Sequence, residues 1–160
     1  MGTIIEAAKL DIIFRIFVAL VLGILIELER LWAHKTAGMR TYALVSMGSA
    51  LFLIISEAIS QIYLGSGSFD PSRMASQVIV GIGFLGAGSI ILQGGQVSGL
   101  TTASGFWVTA GIGMACGLGL YNLAFISTIL ILFVFTILWY VEEKLKKSKF
   151  FKKTEPNDSN

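Results

Sequence analysis

The sequence predicts an all-α integral membrane protein of about five transmembrane helices, with the N-terminus outside and the C-terminus cytoplasmic. Three observations carry this expectation. Of the 160 residues, 54% are hydrophobic and only 14% charged, with a mean hydropathy of +0.78, where soluble domains carry about 25% charged residues. The apolar residues fall in blocks of roughly 20, the length a helix needs to cross about 30 Å of hydrocarbon. The blocks do not alternate in polarity as the shorter strands of a barrel would, so their backbone groups must be satisfied within helices.

The first block spans 12–31. Its leading residues mix Glu6 and Asp11 with Lys9 and Arg15. It lacks the basic start and small-residue cleavage site of a signal peptide, and reads as a retained helix. Its uncharged core, 16–26, is short, so Arg15 and Glu27 must snorkel or face protein. Asp11, Arg15, Ala19, Gly23 and Glu27 recur every four residues and form one polar-and-small ridge. The second block, 42–64, carries Glu57 in its outer half.

The third block, 73–92, opens with Asp70-Pro71, an N-cap followed by proline at the first helical position. Gly81, Gly83 and Gly86 spell a GxGxxG dinucleotide fingerprint. That motif needs a preceding strand and an acidic residue roughly 20 positions on. Here 74–92 is uncharged throughout and no Asp or Glu follows until Glu142, so the dinucleotide reading fails. Gly81, Gly83, Gly86 and Gly88 read instead as packing surface, because helices in lipid associate through small residues. In the fourth block, 101–120, Thr101, Gly105, Thr109, Gly113 and Gly117 form a ridge at spacing four. Helices three and four are therefore expected at the centre. The fifth block, 123–141, is rich in Leu, Ile and Phe and reads as lipid-facing. Residues 1–141 form one membrane domain and 142–160 a basic tail.

Orientation follows from the basic residues. Arg30, Lys35, Arg40 and Lys144, Lys146, Lys147, Lys149, Lys152 and Lys153 lie on one side of five crossings, against Lys9, Arg15 and Arg73 on the other. The positive-inside rule puts the richer side in the cytoplasm. Trp32, Tyr42, Trp139 and Tyr140 then belong to the inner interface, Tyr63 and Tyr121 to the outer. The lysine-rich tail reads as an orientation signal attracted to anionic lipid. Nothing in the charge pattern points to nucleic acid.

A charge at membrane depth costs about 3 kcal/mol on insertion scales and faces a partner or water. Two polar clusters follow, an outer one of Arg15, Glu57, Asp70, Arg73 and Gln77, and an inner one of Glu27, Glu29, Arg30, Arg40, Thr101 and Thr102. The plainer readings are a cap with an interfacial pair for Asp70 and Arg73, headgroup depth for Glu57, and topology anchors for Glu29, Arg30 and Arg40. His34 sits in a polar linker and reads as solvated, and the single Cys116 as a small core residue.

Three stretches carry a resemblance: 27–41 (ELERLWAHKTAGMRT), 70–88 (DPSRMASQVIVGIGFLGAG) and 97–113 (VSGLTTASGFWVTAGIG). Together they resemble the signature stretches of the MgtC/SapB family. The matching positions are Glu29, Arg30, Ala37, Gly38, Arg40 and Thr41, then Asp70, Pro71, Arg73, Gln77, Gly81, Gly83, Gly86 and Gly88. The third stretch matches at Gly99, Leu100, Thr101, Thr102, Ala103, Trp107 and Gly113. Ser98 stands where a basic residue is usual and Glu27 where a glycine is common. Many members continue into a soluble C-terminal domain where this sequence has the short tail, as in the SapB-like branch. The resemblance implies a multi-pass protein of the bacterial inner membrane, linked to growth in low magnesium and to survival of pathogens inside host cells. It also implies regulation of other membrane machines, such as the F-type ATP synthase or a magnesium-transporting P-type ATPase.

Three classes of function are weighed. A non-enzymatic regulator draws on the small-residue surfaces, which also suggest a homo-oligomer. A transporter or channel for Mg²⁺ or another cation could use Glu57 with Asp70, or Glu27 with Glu29, since Mg²⁺ takes one or two carboxylates and retained waters. Arg73 and Arg40 near each pair speak against it. An intramembrane serine enzyme would use Ser104 in TASG, but it needs a histidine base at membrane depth and His34 lies in the linker. The expectation is no enzyme and no catalytic residue.

Overall fold

The computed structural model describes residues 2–33, 40–62, 70 and 72–147. His34, Lys35, Ala37, Gly38, Tyr63, Pro71 and the tail lysines Lys149, Lys152 and Lys153 lie outside the described residues, as do the side chains of Lys146 and Lys147. The described chain is mostly helical: α1 (Gly2–Trp32), α2 (Thr41–Ile62), α3 (Ser72–Ser89), β1 (Ile91–Gln93), β2 (Gln96–Ser98), α4 (Leu100–Gly117) and α5 (Tyr121–Phe133). α5 continues through a π-helical stretch, Val134–Leu138, into α6 (Trp139–Lys147).

Among the described residues, two helices, Thr41–Ile62 and Tyr121–Leu145, are long and apolar enough to cross a membrane by length and composition. α1 has the length at 31 residues but carries Asp11, Arg15, Glu27, Glu29 and Arg30 along it. α3 and α4, 18 residues each, reach about 27 Å at 1.5 Å per residue.

The third block ends earlier than the apolar run suggests. α3 stops at Ser89, and the chain between the third and fourth blocks forms an antiparallel hairpin pairing Ile91 with Ser98, Leu92 with Val97 and Gln93 with Gln96. Gly94 and Gly95, at φ 58° and 78°, form its two-residue turn. A primed turn needs positive φ at both central positions, which glycine adopts without steric cost.

α4 is the centre of the fold and packs against α1, α2, α3 and α5. Its ridge at spacing four is real, but it meets α2 rather than α3. A methyl on Gly113 would overlap the Ser46 backbone, and one on Gly117 would lie 2.7 Å from the Ala50 carbonyl oxygen. One on Gly105 would lie 2.6 Å from the Tyr42 hydroxyl. Thr109 between them is fully buried. Tyr42, Ser46 and Ala50 recur every four residues, so two ridges of mostly small contact groups meet and the backbones approach closely. α1 closes on α2 the same way, since a methyl on Gly23 would meet Tyr42 O and Ala43 Cα at 2.7 Å.

The expected α3–α4 centre is therefore corrected to α2–α4. α3 buries only Ile82 and Gly86, the latter beside Ala103. Methyls on Gly81, Gly83 and Gly88 would meet nothing within 4 Å. The reason is angular: at 100° per residue Gly81 and Gly88 share a face well away from Gly86. α5 buries one stripe, Ala124, Thr128 and Ile131, continued by Phe135. Tyr121 packs against the core edge, and most of the other apolar side chains of α5 are exposed.

Candidate functional site

The expected outer cluster divides into two. Arg15 is its hub: Nη2 lies 2.7 Å from Asp11 Oδ2 one turn earlier, and Nη1 donates to Glu57 Oε2 at 2.7 Å. Nη1 also donates to the Gly117 carbonyl at 2.9 Å. One guanidinium thus ties α1 to α2 and to the last turn of α4, where orphan carbonyls and the negative end of the helix dipole favour a cation. Tyr121, edge-on to Phe14 at 5.5 Å, covers this junction.

Asp70, Arg73 and Gln77 are not part of it. Asp70 Oδ1 accepts the Ser72 amide and Oδ2 the Ser72 hydroxyl, each at 2.9 Å. The Ser72 hydroxyl, then its amide and the Arg73 charge, hold the Asp70 carboxyl below the usual range. Arg73 and Gln77 are exposed. Gln77 lines an apolar groove of about 550 Å³ between α2 and α3, together with Gly48, Phe52, Gly81 and Leu85. The groove exists because α2 and α3 touch only sparsely and small residues stand at its walls.

The inner cluster is largely brought together. Glu27 is 4% exposed and sits over the start of α2, accepting the Thr41 amide at 2.9 Å and the Ala43 amide at 3.3 Å. A carboxylate there satisfies orphan N–H groups and complements the dipole. Arg30, 3% exposed, lies 3.5 Å from Glu29 Oε2, with its Cζ 4.3 Å over the Phe135 ring. Gly105 leaves the room in which the Phe135 ring and the Tyr42 hydroxyl stand side by side. Tyr42 donates to the Thr102 carbonyl at 3.4 Å and stacks obliquely on Phe106 at 4.9 Å. Arg40, by contrast, is exposed at the entry to α2.

These groups border a cavity of about 920 Å³. Its walls are Arg30 of α1, Thr41 of α2, Ser98 of the hairpin, Gly99 to Thr102 at the head of α4, and Phe135, Leu138, Trp139 and Glu142 beyond α5. Gly99 has φ 88°, and a side chain there would overlap the Ser89 carbonyl, so only glycine lets the hairpin turn directly into α4. Phe135, at the start of the π-helical stretch, lies under Arg30, and single π-helical turns within α-helices are frequent at functional sites.

Sequence reasoning missed Phe135, Ser98 and Glu142 as cavity residues, and placed Tyr42 in an interfacial belt. Tyr42 is fully buried, because the fold turns the start of α2 inward under Glu27. The Gly-Gly pair between short apolar runs was the available hairpin signal; nothing in the spacing announces a π-bulge. Cys116 is buried, and Ser104 turns its hydroxyl back to the Leu100 carbonyl of its own helix at 2.9 Å.

Residues 16–144 match the MgtC family. The chain belongs to that family. Among curated relatives, YhiD of Escherichia coli K12, by its name a candidate magnesium transporter, is 38% identical over 145 residues. That alignment covers 88% of this chain and 66% of YhiD. Protein MgtC of Salmonella typhimurium is 45% identical over 120 residues, covering 75% of this chain and 49% of MgtC. Protein MgtC of Brucella abortus is 42% identical over 120 residues, 75% of this chain and 48% of the relative. The chain thus spans about half the length of the MgtC proteins it matches. No solved structure matches it.

Proposed function

We propose that this MgtC-family chain is a multi-pass protein of the bacterial inner membrane, with five crossings and its N-terminus outside. In this reading it acts in magnesium homeostasis as a non-enzymatic regulator of other membrane machinery. Membership of the family and the name of the YhiD relative support the link to magnesium. The observation that carries the regulator reading is the open side of α3. Gly81, Gly83 and Gly88 meet nothing, Phe84 is 81% exposed, and an apolar groove runs beside them. A helix that keeps small residues off its own core offers a surface on which another transmembrane helix can pack closely. An F-type ATP synthase subunit, a magnesium-transporting P-type ATPase or a second copy of this chain would be such a partner.

The second reading is a transporter of Mg²⁺ or another cation, favoured by the YhiD name. Against it, Glu57 is held by Arg15, Glu27 by the start of α2 and Asp70 by Ser72.

A photo-crosslinking residue introduced at Phe84 in cells tests the regulator reading. Covalent capture of a larger membrane protein, lost when Gly83 is replaced by Leu, is the expected result. Capture of lipid alone would refute the reading.

A further inference from the structure

The cavity at the head of α4 gathers a buried cation and a helix N-terminus, and the regulator reading does not bear on it. With glycine at the N-cap, no side-chain oxygen takes up the first amides of this 18-residue helix. The initial N–H groups of a helix lack intrahelical partners and carry its positive end. Against the same cavity stands Arg30, whose side chain is only 4% exposed. Its Nε is buried with no hydrogen-bond acceptor, and its ionic contact, Nη1 to Glu29, is long at 3.5 Å. A charge-assisted pair closes to about 2.8 Å, so the guanidinium keeps donors in hand. A buried Arg donor left unpaired is costly, and a ligand with several acceptor oxygens would remove that cost. Thr101 and Ser98 border the same space, the Ser98 hydroxyl donating to the Ile91 carbonyl at 3.3 Å. Glu142, exposed on the wall from α6, is the one cavity group among those described that opposes an anion.

We propose that this cavity binds a phosphate group, with Arg30 on one side and the first amides of α4 on the other. A helix N-terminus facing a fixed guanidinium is a phosphate-binding arrangement on physical grounds. The group can come from a phospholipid headgroup or from free phosphate, and the experiment separates the two.

Full-length protein, delipidated in detergent and shown to be folded by circular dichroism, is titrated with inorganic phosphate by calorimetry at fixed ionic strength. The titration is repeated in the presence of phosphatidylglycerol, and lipid retained from mixed phosphatidylglycerol and phosphatidylcholine vesicles is counted by native mass spectrometry. Saturable phosphate binding is expected. Displacement by phosphatidylglycerol, with selective retention of that lipid, assigns the site to a headgroup; binding that the lipid leaves unchanged assigns it to free phosphate. Arg30→Gln should weaken binding at least tenfold. Since a buried Arg variant can fail to fold, Thr101→Glu provides the second test. Thr101 is exposed in the first turn of α4, so a carboxylate there suits the helix end while competing with the anion, and binding should be lost with the fold kept. Glu142→Gln should tighten binding about threefold by removing a repulsion. No saturable binding of either probe by the folded wild type, or binding unchanged in Thr101→Glu, overturns the proposal.

Discussion

Gly113→Ala is the sharpest test of how the domain holds together. The added methyl would overlap the Ser46 carbonyl oxygen, with the Ser46 Cα at 2.9 Å. These are backbone atoms of α2, which cannot swing aside as a side chain can. Relief requires α2 to move off α4, the contact on which the core is built. Overpacking of this kind costs about 1–3 kcal/mol, and a backbone obstacle places it at the upper end. Replacing helical Gly by Ala returns about 1 kcal/mol of propensity. The net loss is therefore about 2 kcal/mol, a factor of about 30 in the folded-to-unfolded ratio. Thermal unfolding of the purified protein in detergent should show a Tm lower by about 4–8 °C. Gly83→Ala is the paired control: its methyl meets nothing within 4 Å, so only the propensity term remains and Tm should hold or rise. Equal shifts for the two variants, or a Gly113→Ala protein as stable as wild type, would refute the reasoning.

Other perturbations follow from the same contacts. Glu27→Ala leaves the Thr41 and Ala43 amides without their acceptor and should cost about 1–2 kcal/mol, read as a lower unfolding midpoint; Glu27→Gln should recover part of it. Arg15→Met releases the Gly117 carbonyl and should cost about 1–3 kcal/mol. A double-mutant cycle with Glu57, whose side chain is 48% exposed, should return a coupling of only about 0.5–1 kcal/mol. Asp70 has its folded-state pKa depressed, mainly by the Ser72 hydroxyl, so its contribution to stability is present above the unfolded pKa of about 3.9 and is lost as pH falls through the lower folded value. Ser72→Ala should move the Asp70 titration upward by carbon-detected NMR; an unchanged midpoint would contradict the assignment.

Much of this molecule is legible in the chain because spacing four dictates which side chains share a helix face. The ridges of α1 and α4 were readable from Asp11 to Glu27 and from Thr101 to Gly117, and both are contact surfaces in the fold. What spacing cannot tell is which neighbour a ridge meets. Gly81, Gly83, Gly86 and Gly88 looked as suited to the core as the α4 ridge, yet only Gly86 faces Ala103. Ser46 and Ala50 of α2 carried no comparable signal and became the partner. The inner polar cluster was legible through Glu27, Arg30, Thr101 and Thr102, because charges inside an apolar run need company. Its lining is less so: Phe135 shares the buried stripe of α5, but nothing in the spacing pairs it with Arg30, and Ser98 reaches the cavity through a hairpin hidden by an apolar run that continues past the end of α3. The outer cluster was over-drawn, since nearness in depth does not bring Asp70 and Arg73 to the Arg15 junction.

Mg²⁺ flux into proteoliposomes holding the purified, folded protein tests most directly whether the chain regulates or transports. Empty vesicles serve as the control. No flux above that of empty vesicles is expected. Saturable flux above that of empty vesicles would contradict this expectation and make the chain a transporter.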